Sequence, residues 1–589
     1  MPLKLPERAN PEWLLKQLEA VSLKKLPGTS EAGRVARQAN DPKSGDALLR
    51  GDEISKGLFE QLLAANGETG GEVTLKKADG TLTKAGELLT RIDLAKATRD
   101  GWFEVPKKGA VLYADFRDVD MGFFRGNDAK GQPIHVTGVP SSSLSVYWAA
   151  SGPQHYVPPS NDLGVLYFER GKSVDLKRSG NTSINDPAAS FKSELKAPDE
   201  SDVPEDFKAK NLNRDPSMVR RDLSSAFFRE TLKVPAQRYA PVKWFSNGWY
   251  QGVRDLEEPL DKTMWSSAVK SIDPKRDVPK DVYIFKAQWS WGEKSLAGGH
   301  LDKADLKFKG DGSANQYRVR DGGMQTYDLE TGKKKADEAY DELAKLISVV
   351  NGKGLEDEAG NAISDTDPKR FNTPAFRKAM EAKMDVYEVL RAYAGLVMTG
   401  AWDNLINPSN FAWVAEKGKS GDAKWSALPI DLDSTWGIQW DGQPAWQDLD
   451  VLLRNGPTEN VPVIWKNLLA NDHFKAYALD FMEHLMKTEF TPSKIGAKVD
   501  TFWARKSEAA YLEADTPTGA PHTQRTYTND ELYKHNKENW TIRKNGLNAI
   551  AIREFVEWRR ASATWQINQI RKDFHVKSGV DFAGGKVEP

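Results

Sequence analysis

Hydrophobic and polar positions along the chain change from short helical periods to strand-like runs and back to helical periods. Residues 1–100 show short apolar-periodic segments with capping residues, which predict a small helical module. Residues 101–165 carry β-branched and aromatic runs between turns, such as 144–148, and predict a β-rich segment. From residue 334 the pattern becomes mainly helical, with one long helix predicted over 374–400. The pattern therefore predicts a β-rich half followed by a helical half.

Two segments within the first hundred residues look alike, namely 51–60 and 79–88. Each has an acidic and glycine-containing turn, a hydroxyl cap and then a predicted helix, an order that resembles the second half of an EF-hand. A calcium loop needs oxygen ligands at alternate positions, whereas Leu75 and Lys77 stand where carboxylates are required. The module is therefore expected to be weakly EF-hand-like without good calcium ligands, and to dock on the rest of the chain or on a partner.

Between the two halves the sequence predicts a hairpin with flanking elements. Strands predicted over 240–245 and 248–256 are joined at an Asn-Gly pair, which is a strong hairpin signal between apolar runs. A helix is predicted before the hairpin, over 217–232, and a strand after it, over 282–286. These elements indicate a fold of the α+β class.

Composition indicates a folded chain of roughly three or four domains, given its 589 residues. The 19 Trp, 23 Phe and 16 Tyr residues are far more aromatic side chains than disordered chains carry. A formal charge of −1 argues against a dedicated nucleic-acid binder. The absence of cysteine excludes disulfides, thiolate catalysis and thiolate zinc sites. The histidines are scattered, so any metal is expected on carboxylates and amides, which suits Mg²⁺ or Mn²⁺.

The sequence also gives expectations about location. No run of about 18 apolar residues is present, so no membrane span is expected. The first residues lack the apolar core of a signal peptide. The protein is expected to be soluble, and either cytoplasmic or exported with a leader already removed. The oligomeric state is not fixed by the sequence.

Two polar segments carry the candidate chemistry. The first, 399–413, follows the predicted long helix and leads into an apolar strand. The second, 425–437, is a strand that runs into a polar turn. A hairpin between the two strands would bring both polar ends to the same edge. The candidate residues in these segments are Asp403, Asn407, Asn410, Asp431 and Asp433.

Phosphoryl transfer needs this set of groups. One carboxylate orients or deprotonates the nucleophile, while amides and carboxylates hold the divalent ions that neutralise the phosphates. Asp403 is placed for the first role, and Asp431 and Asp433 for the metal. Asn410 or Asn407 would supply the amide ligand. An isolated Asp-x-x-x-Asn is more often a turn, and an isolated Asp-x-Asp more often a cap or solvated loop, so the hypothesis depends on their ordered pairing.

These segments resemble the CotH kinase family, named for spore coat protein H. Its members show an Asp with a nearby Asn-Tyr/Phe, followed by Pro-Trp-Asp-x-Asp and a glycine. This chain has Asp403, then Asn410 before a phenylalanine, and then PIDLDSTWG over 429–437. Further signatures recur in family order: RSGNTS at 178–183, SFK at 190–192, DPSMVR at 215–220, NGWYQG at 247–252, IFK at 284–286 and FVEWRR at 555–560.

The resemblance, which extends from about residue 165 to 565, implies an atypical protein-kinase-like fold with two lobes and ATP as cofactor. A β-rich N-lobe is expected over 166–333, with the 101–165 segment packed on it. A helical C-lobe is expected over 334–575, followed by a flexible tail over 576–589.

The resemblance also suggests where ATP would bind. Lys192 and Lys286 are candidates to hold its phosphates, and Glu258 is a candidate to pair with such a lysine or to touch metal. The alternatives are solvated strand lysines and a strand-end salt bridge. The chain departs from the family pattern at Ile430, which replaces the usual tryptophan, and in the length of the loop that ends at Asn410.

The leading hypothesis is an ATP- and metal-dependent transferase that phosphorylates Ser or Thr of a protein substrate. AMP transfer and glutamylation on the same scaffold need the same groups and are the nearest alternatives. A rival from another class is a pseudokinase or binding module for a protein or glycan partner. The presence of the whole acidic set favours activity.

Overall fold

The computed structural model describes most of the chain between residues 206 and 579 and seven strands before it. The continuous described ranges are 206–212, 214–246, 249–287, 306–308, 310–318, 327–406, 410–418, 421–439, 462–512, 527–544 and 547–579. Single positions at 66, 67, 77, 81, 83, 84, 103 and 582 are described as well. The two EF-hand-like segments lie almost entirely outside the described residues, so that prediction is left as it stands.

The chain divides into two compact units, each assembled from separated stretches of sequence. The barrel unit comprises Met1–Met218, Arg238–Pro259 and Thr501–Tyr533. The helical unit comprises Val219–Gln237, Leu260–Asp500 and Lys534–Pro589. The boundary predicted at residue 333 is therefore not where the chain changes unit. The strands that follow Leu260 pair with strands beyond residue 400, and such long-range pairing leaves no mark on local sequence pattern.

In the described part of the barrel unit, three short strands form one antiparallel sheet and seven close a barrel. The strands are β1 Ser22–Lys25, β2 Val35–Gln38, β3 Glu72–Thr74, β4 Ala110–Arg117, β5 Val139–Ala150, β6 Gly164–Ser179, β7 Ser190–Glu194, β8 Asp206–Lys210, β9 Tyr239–Ser246 and β10 Trp249–Glu257. The barrel order is β10-β8-β7-β6-β5-β4-β9, and only β4 and β9 run parallel.

Two sequence predictions need correction in this unit. Residues 1–100 were predicted to form a helical module, whereas the described strands β1, β2 and β3 form an antiparallel sheet there, and most other residues of this segment lie outside the described ranges. The β-rich segment 101–165 was predicted to pack on an N-lobe that begins at residue 166. Strand β6 crosses residue 165, so this segment and the strands after it belong to one barrel.

Aromatic rings fill the interior of the barrel. The Phe191 ring centroid lies 3.7 Å from that of Trp244 and 6.2 Å from that of Phe207. Phe116 meets Phe191 and Phe207 edge-to-face. Along β8, buried Phe207 and Ala209 alternate with partly exposed residues, the period of two that a strand with one buried face requires. The predicted hairpin is confirmed, because β9 and β10 pair antiparallel.

The helical unit contains the remaining strands and most of the helices. The strands are β11 Asp281–Ala287, β12 Tyr327–Leu329, β13 Phe411–Lys417, β14 Ala423–Pro429, β15 Ile438–Gln439, β16 Ile542–Lys544 and β17 Leu547–Ala549. The helices of the described chain are α1 Arg220–Ala226, α2 Lys262–Ile272, α3 Ala336–Val350, α4 Pro374–Lys383, α5 Val386–Thr399, α6 Trp402–Ile406, α7 Val463–Leu469, α8 Asp472–Thr488, α9 Pro492–Leu512, α10 Asn529–Lys537 and α11 Ile552–Phe574. Helix α1 continues into a π-helical turn at Phe227–Thr231. None of the described helices combines the length and the apolar character needed to cross a membrane.

The core of the helical unit is a four-stranded antiparallel sheet with helices on both faces. Its order is β12-β11-β13-β14. On one face, α2 buries Trp265 against Val282 and Ile284 of β11. On the other face, Phe285 meets Tyr340 of α3 and Trp425 of β14. Alternate residues of β11 thus face opposite layers, and the sheet fixes the strand ends that carry the polar segments.

The long helix predicted over 374–400 is two helices, α4 and α5. The chain leaves helical geometry at Met384, whose backbone is extended at φ −142° and ψ 162°. Met384 forms a bridge with Trp425, and the Asp385 N–H donates to the Trp425 carbonyl at 2.8 Å. The apolar period continues through this break, because both helices bury the same side of the chain against the sheet.

The tail predicted to be flexible over 576–589 is docked where it is described. Phe582 is buried, and its ring lies 5.5 Å from Tyr477 and 5.3 Å from Phe481 of α8. The Gly579 N–H donates to Asp480 Oδ2 at 2.9 Å. The apolar contact of Phe582 with α8 attaches the described part of this segment, and the sequence alone did not show that contact.

Gly395 lies in the middle of α5, which is buried on nearly all sides. A Cβ at this position would lie 2.2 Å from Leu232 Cδ1 and 3.0 Å from Phe228 Cζ. We expect Gly395→Ala to destabilise the protein by about 1–3 kcal/mol, because the overpacking outweighs the better helix propensity of alanine. Thermal unfolding measures this effect.

Gly496→Ala in α9 is the matched control. Its Cβ would meet the Arg553 Nε at 2.7 Å. The Arg553 side chain is hydrogen-bonded to Asn536 and Asp500 but partly exposed, so we expect a shift there to cost less than displacing the buried Leu232 and Phe228. Equal melting temperatures for the two variants would contradict the packing argument.

A cluster of carboxylates surrounds one arginine near the start of α5. Arg276 reaches Glu416 at 2.9 Å, Asp385 at 3.4 Å and Glu388 at 3.9 Å. Burial, and after it the Asp385 carboxylate, raises the pKa of Glu388 to about 7 against the opposing effects of Arg391 and Arg276. Glu388 therefore titrates near neutral pH.

We expect Glu388→Gln to become more stable relative to the wild type as the pH rises from 5 to 8. The ordinary pKa of this carboxyl is 4.5, so between 4.5 and about 7 the folded protein retains a proton that the unfolded chain releases. Wild-type stability falls with pH across that window, by about 3 kcal/mol at most, and the glutamine lacks this dependence. Melting temperatures at both pH values test it, with the exposed Glu358→Gln as control. A difference that stays constant with pH would contradict this prediction.

Candidate functional site

The two polar segments meet at one end of the four-stranded sheet, as the sequence predicts. Strands β13 and β14 pair antiparallel, with Phe411 opposite Pro429. The Ile430 N–H donates to the Asn410 carbonyl at 3.0 Å, which extends the pairing by one step. The residues before β13 and after β14 therefore share one edge, and Asp431 follows directly.

Asp403 and Asn410 are in direct contact. Asp403 lies in α6, the short helix that follows α5, and Asn410 is the last residue before β13. The Asn410 Nδ2 donates to Asp403 Oδ2 at 2.7 Å, and both side chains are half-buried. This hydrogen bond fixes the orientation of the carboxylate. Asn407 lies outside the described residues. Of the two asparagines, Asn410 is favoured by its hydrogen bond to Asp403.

Asn404 joins the two segments, and the sequence did not single it out. Its buried Nδ2 donates to the carbonyls of Asn410 at 2.9 Å and Ile430 at 2.8 Å. One amide thus links α6 to the start of β13 and to the end of β14. The signal available in the sequence was its position beside Asp403, but a solvent-exposed asparagine at this position would give the same sequence.

The acidic loop, residues 431–437, begins and ends with left-handed backbone. Asp431 has φ +52° and Trp436 has φ +54°. Aspartate tolerates this conformation better than most residues. Gly437, with φ +82°, is required as well, because a Cβ there would lie 2.9 Å from Phe555 Cδ2. These backbone requirements fix the conformation of the loop that carries Asp431 and Asp433.

Helix α1 holds the backbone of the acidic loop. The fully buried Arg220 donates to the carbonyls of Thr435 at 3.1 Å and Trp436 at 3.4 Å, and to that of Ile550 at 2.8 Å. Ser224, one turn later, lies 2.9 Å from the Thr435 hydroxyl and accepts from the Trp436 indole at 2.9 Å. The loop conformation is therefore set by a segment more than two hundred residues earlier in the chain.

Arg221 contacts the acidic side chain directly. Its Nη2 donates to Asp433 Oδ2 at 2.8 Å, and the arginine side chain is 9% exposed against 28% for the aspartate. Sequence reasoning gave no role to either arginine, although the motif that ends at Arg220 was noted. The sequence does contain a signal for them. Two adjacent arginines stand at the start of a short helix of small and apolar residues.

Lys286 lies at the same end of the sheet as the acidic residues. It stands opposite Ala412 of β13, which in turn stands opposite Leu428 of β14. Lys192 and Glu258 belong to the barrel unit, where Lys192 lies on β7. Among the described residues, neither Lys192 nor Lys286 has an ion-pair partner.

Glu258 forms a buried ion pair with an arginine. Both of its carboxylate oxygens accept from Arg238, at 2.7 Å from Nη2 and 3.0 Å from Nε, and the Arg238 N–H adds a third hydrogen bond. This arrangement matches the strand-end salt bridge that the sequence left as the alternative to a role with ATP.

The acidic residues suit a metal ion that the substrate phosphates also coordinate. The described residues include no group of three or more histidine or carboxylate side chains that would hold a metal alone. Magnesium in phosphotransferases is typically held by one or two carboxylates together with phosphates and water. Asp431, Asp433 and the amide oxygen of Asn410 would be the hard oxygen ligands for such an ion.

Comparison with known proteins identifies the family of the chain. No curated protein matches the chain. The family model described as CotH kinase protein matches residues 176–560, which is more than half of the chain. That range includes α1, the central sheet and the acidic loop. The chain belongs to the CotH kinase protein family.

Proposed function

We propose that this protein is an ATP- and divalent-metal-dependent kinase that phosphorylates Ser or Thr hydroxyls of a protein substrate. The observation that carries the proposal is the convergence at one end of the central sheet. Lys286 lies next to the last residue of β11 there, the Asp403–Asn410 pair precedes β13, and Asp431 follows β14. Phosphoryl transfer depends on positioning and on charge stabilisation by this kind of set.

Asp403 has the role of accepting and orienting the proton of the attacking hydroxyl. The hydrogen bond from Asn410 holds its Oδ2, so the carboxylate does not need to reorganise when the substrate arrives. Because Asn410 donates through Nδ2, its Oδ1 is the atom that can ligate a metal ion. A bound Mg²⁺ or Mn²⁺ would neutralise phosphate charge.

Asp431 and Asp433 would hold the metal from the acidic loop, and Lys286 would pair with the ATP phosphates as a point charge. Lys192 stays a candidate for the ATP phosphates on the family resemblance alone, whereas the buried pair with Arg238 favours a structural role for Glu258. The kinase-like arrangement in two lobes, implied by the family, is part of the same proposal.

Labelled nucleotides test the reaction. The full-length protein is incubated with Mg²⁺ or Mn²⁺, a protein acceptor, and ATP labelled at either the γ- or the α-phosphate. Transfer of γ-label to Ser or Thr is the expected result. Transfer of α-label would show AMP transfer, and ATP-dependent incorporation of labelled glutamate would show glutamylation.

A thermal-shift assay tests the rival binding-module hypothesis. Nucleotide with metal should raise the melting temperature, because a ligand that binds only the folded state stabilises it by mass action. No shift at millimolar ATP and Mn²⁺, together with no label transfer, would overturn the kinase proposal in favour of a pseudokinase or binding module.

A further inference from the structure

We propose that Arg221 is a positioning residue that orients the Asp433 carboxylate for metal binding and balances its charge. The inference rests on the proposed function, because it assigns a role to Arg221 within the same site. Arg221 does not reach the reacting atoms in this role. It acts through Asp433.

The ion pair holds the Asp433 carboxylate at Oδ2. Arg221 Nη2 lies 2.8 Å from Asp433 Oδ2, whereas Oδ1 lies 3.4 Å from the Ser434 hydroxyl, a long contact by hydrogen-bond geometry. The arginine is the more buried partner. A buried, rigid guanidinium that holds Oδ2 therefore fixes the direction of Oδ1.

The two adjacent arginines of helix α1 contact different parts of the acidic loop. Arg220 holds three main-chain carbonyls, and Ser224 supports the same loop through Thr435 and Trp436. These contacts fix the loop backbone without Arg221. Substitution of Arg221 is therefore expected to free the carboxylate while the loop keeps its conformation.

The charge of the loop gives Arg221 a second effect. Asp431 and Asp433 stand two residues apart, so their negative charges repel each other in the absence of metal. The Arg221 guanidinium offsets part of this repulsion. Loss of an outer partner that orients a metal ligand typically weakens metal binding about 10–100-fold. If Arg221 instead competed with the metal for Asp433, its removal would tighten binding.

The test measures the Mn²⁺ concentration at half-maximal thermal stabilisation, with a non-hydrolysable ATP analogue at saturation. We expect Arg221→Met to raise this midpoint about 10–100-fold, and Arg221→Lys to restore part of the loss because the lysine ammonium can still donate a hydrogen bond to the Asp433 carboxylate. Asp433→Asn should raise the midpoint as well. The melting temperature without ligand reports folding of each variant.

Arg391→Lys is the matched control, because Arg391 is also buried and donates to the main-chain carbonyls of Leu232 and Lys233. It should lower the melting temperature and leave the midpoint unchanged. An unchanged or lowered midpoint in Arg221→Met would overturn the positioning role while leaving the kinase proposal intact. If the wild type shows no response to metal, the proposed function fails and the role of Arg221 fails with it. If Arg221→Met does not fold, Arg221→Gln is measured in the same way, with the same expected rise.

Discussion

Asp403→Asn is expected to lower the rate of phosphoryl transfer by about 10²–10⁴-fold while the protein remains folded. Asparagine keeps an oxygen that can accept the hydrogen bond from Asn410, which is 2.7 Å long in the wild type. It cannot accept a proton from the attacking hydroxyl. Initial rates of γ-label transfer measure the loss, and the melting temperature shows that folding is retained.

Asp337→Asn provides the control for this experiment, because Asp337 is a carboxylate whose side chain is 91% exposed. Its transfer rate should equal that of the wild type. If Asp403→Asn also transferred label at the wild-type rate, Asp403 would not be the catalytic carboxylate, and the assignment of the site would need another residue.

Asp431→Asn is expected to abolish the stabilisation that metal and nucleotide provide together. That stabilisation is about 2.7 kcal/mol when a ligand is present at a hundred times its Kd. Asparagine tolerates the left-handed backbone at φ +52°, so the loop keeps its conformation and only the charge is lost. Thermal shift with Mn²⁺ and a non-hydrolysable ATP analogue measures the effect.

Asp431→Ala separates the charge from the backbone. Alanine loses the same carboxylate and is also disfavoured in the left-handed region, by roughly 1–2 kcal/mol. Its melting temperature without ligand should therefore be lower than that of Asp431→Asn, while both variants fail to respond to metal. A full metal response in Asp431→Asn would show that the metal is held by other residues.

The sequence predicted the local elements of the site well. The strand, turn and strand around residues 411–429 were predicted from apolar runs and a polar turn, and the structure confirms the antiparallel pair. The same pattern placed the ends that carry Asp403 and Asp431 at one edge. Both predictions depend on interactions between neighbours in sequence, which composition and periodicity record directly.

Other predictions failed because they depended on distant parts of the chain. The break between α4 and α5 is caused by pairing of Met384 with Trp425, and the apolar period does not change there. The tail was expected to be flexible, yet Phe582 packs on α8. In both cases the deciding contact was made with a residue distant in the sequence, which a local pattern does not record.

By itself, the sequence determined the antiparallel hairpins, the order of the polar motifs and the resemblance that the family match confirms. Only the tertiary structure decided how the acidic loop is held. Arg220 and Arg221 reach it across more than two hundred residues, and Asn404 closes the sheet edge from a helix. The physical reason is that the position of a buried polar side chain depends on the hydrogen-bond partners that it meets in the folded protein. Those groups are main-chain carbonyls and a carboxylate brought close only by folding, so no spacing in the sequence records them.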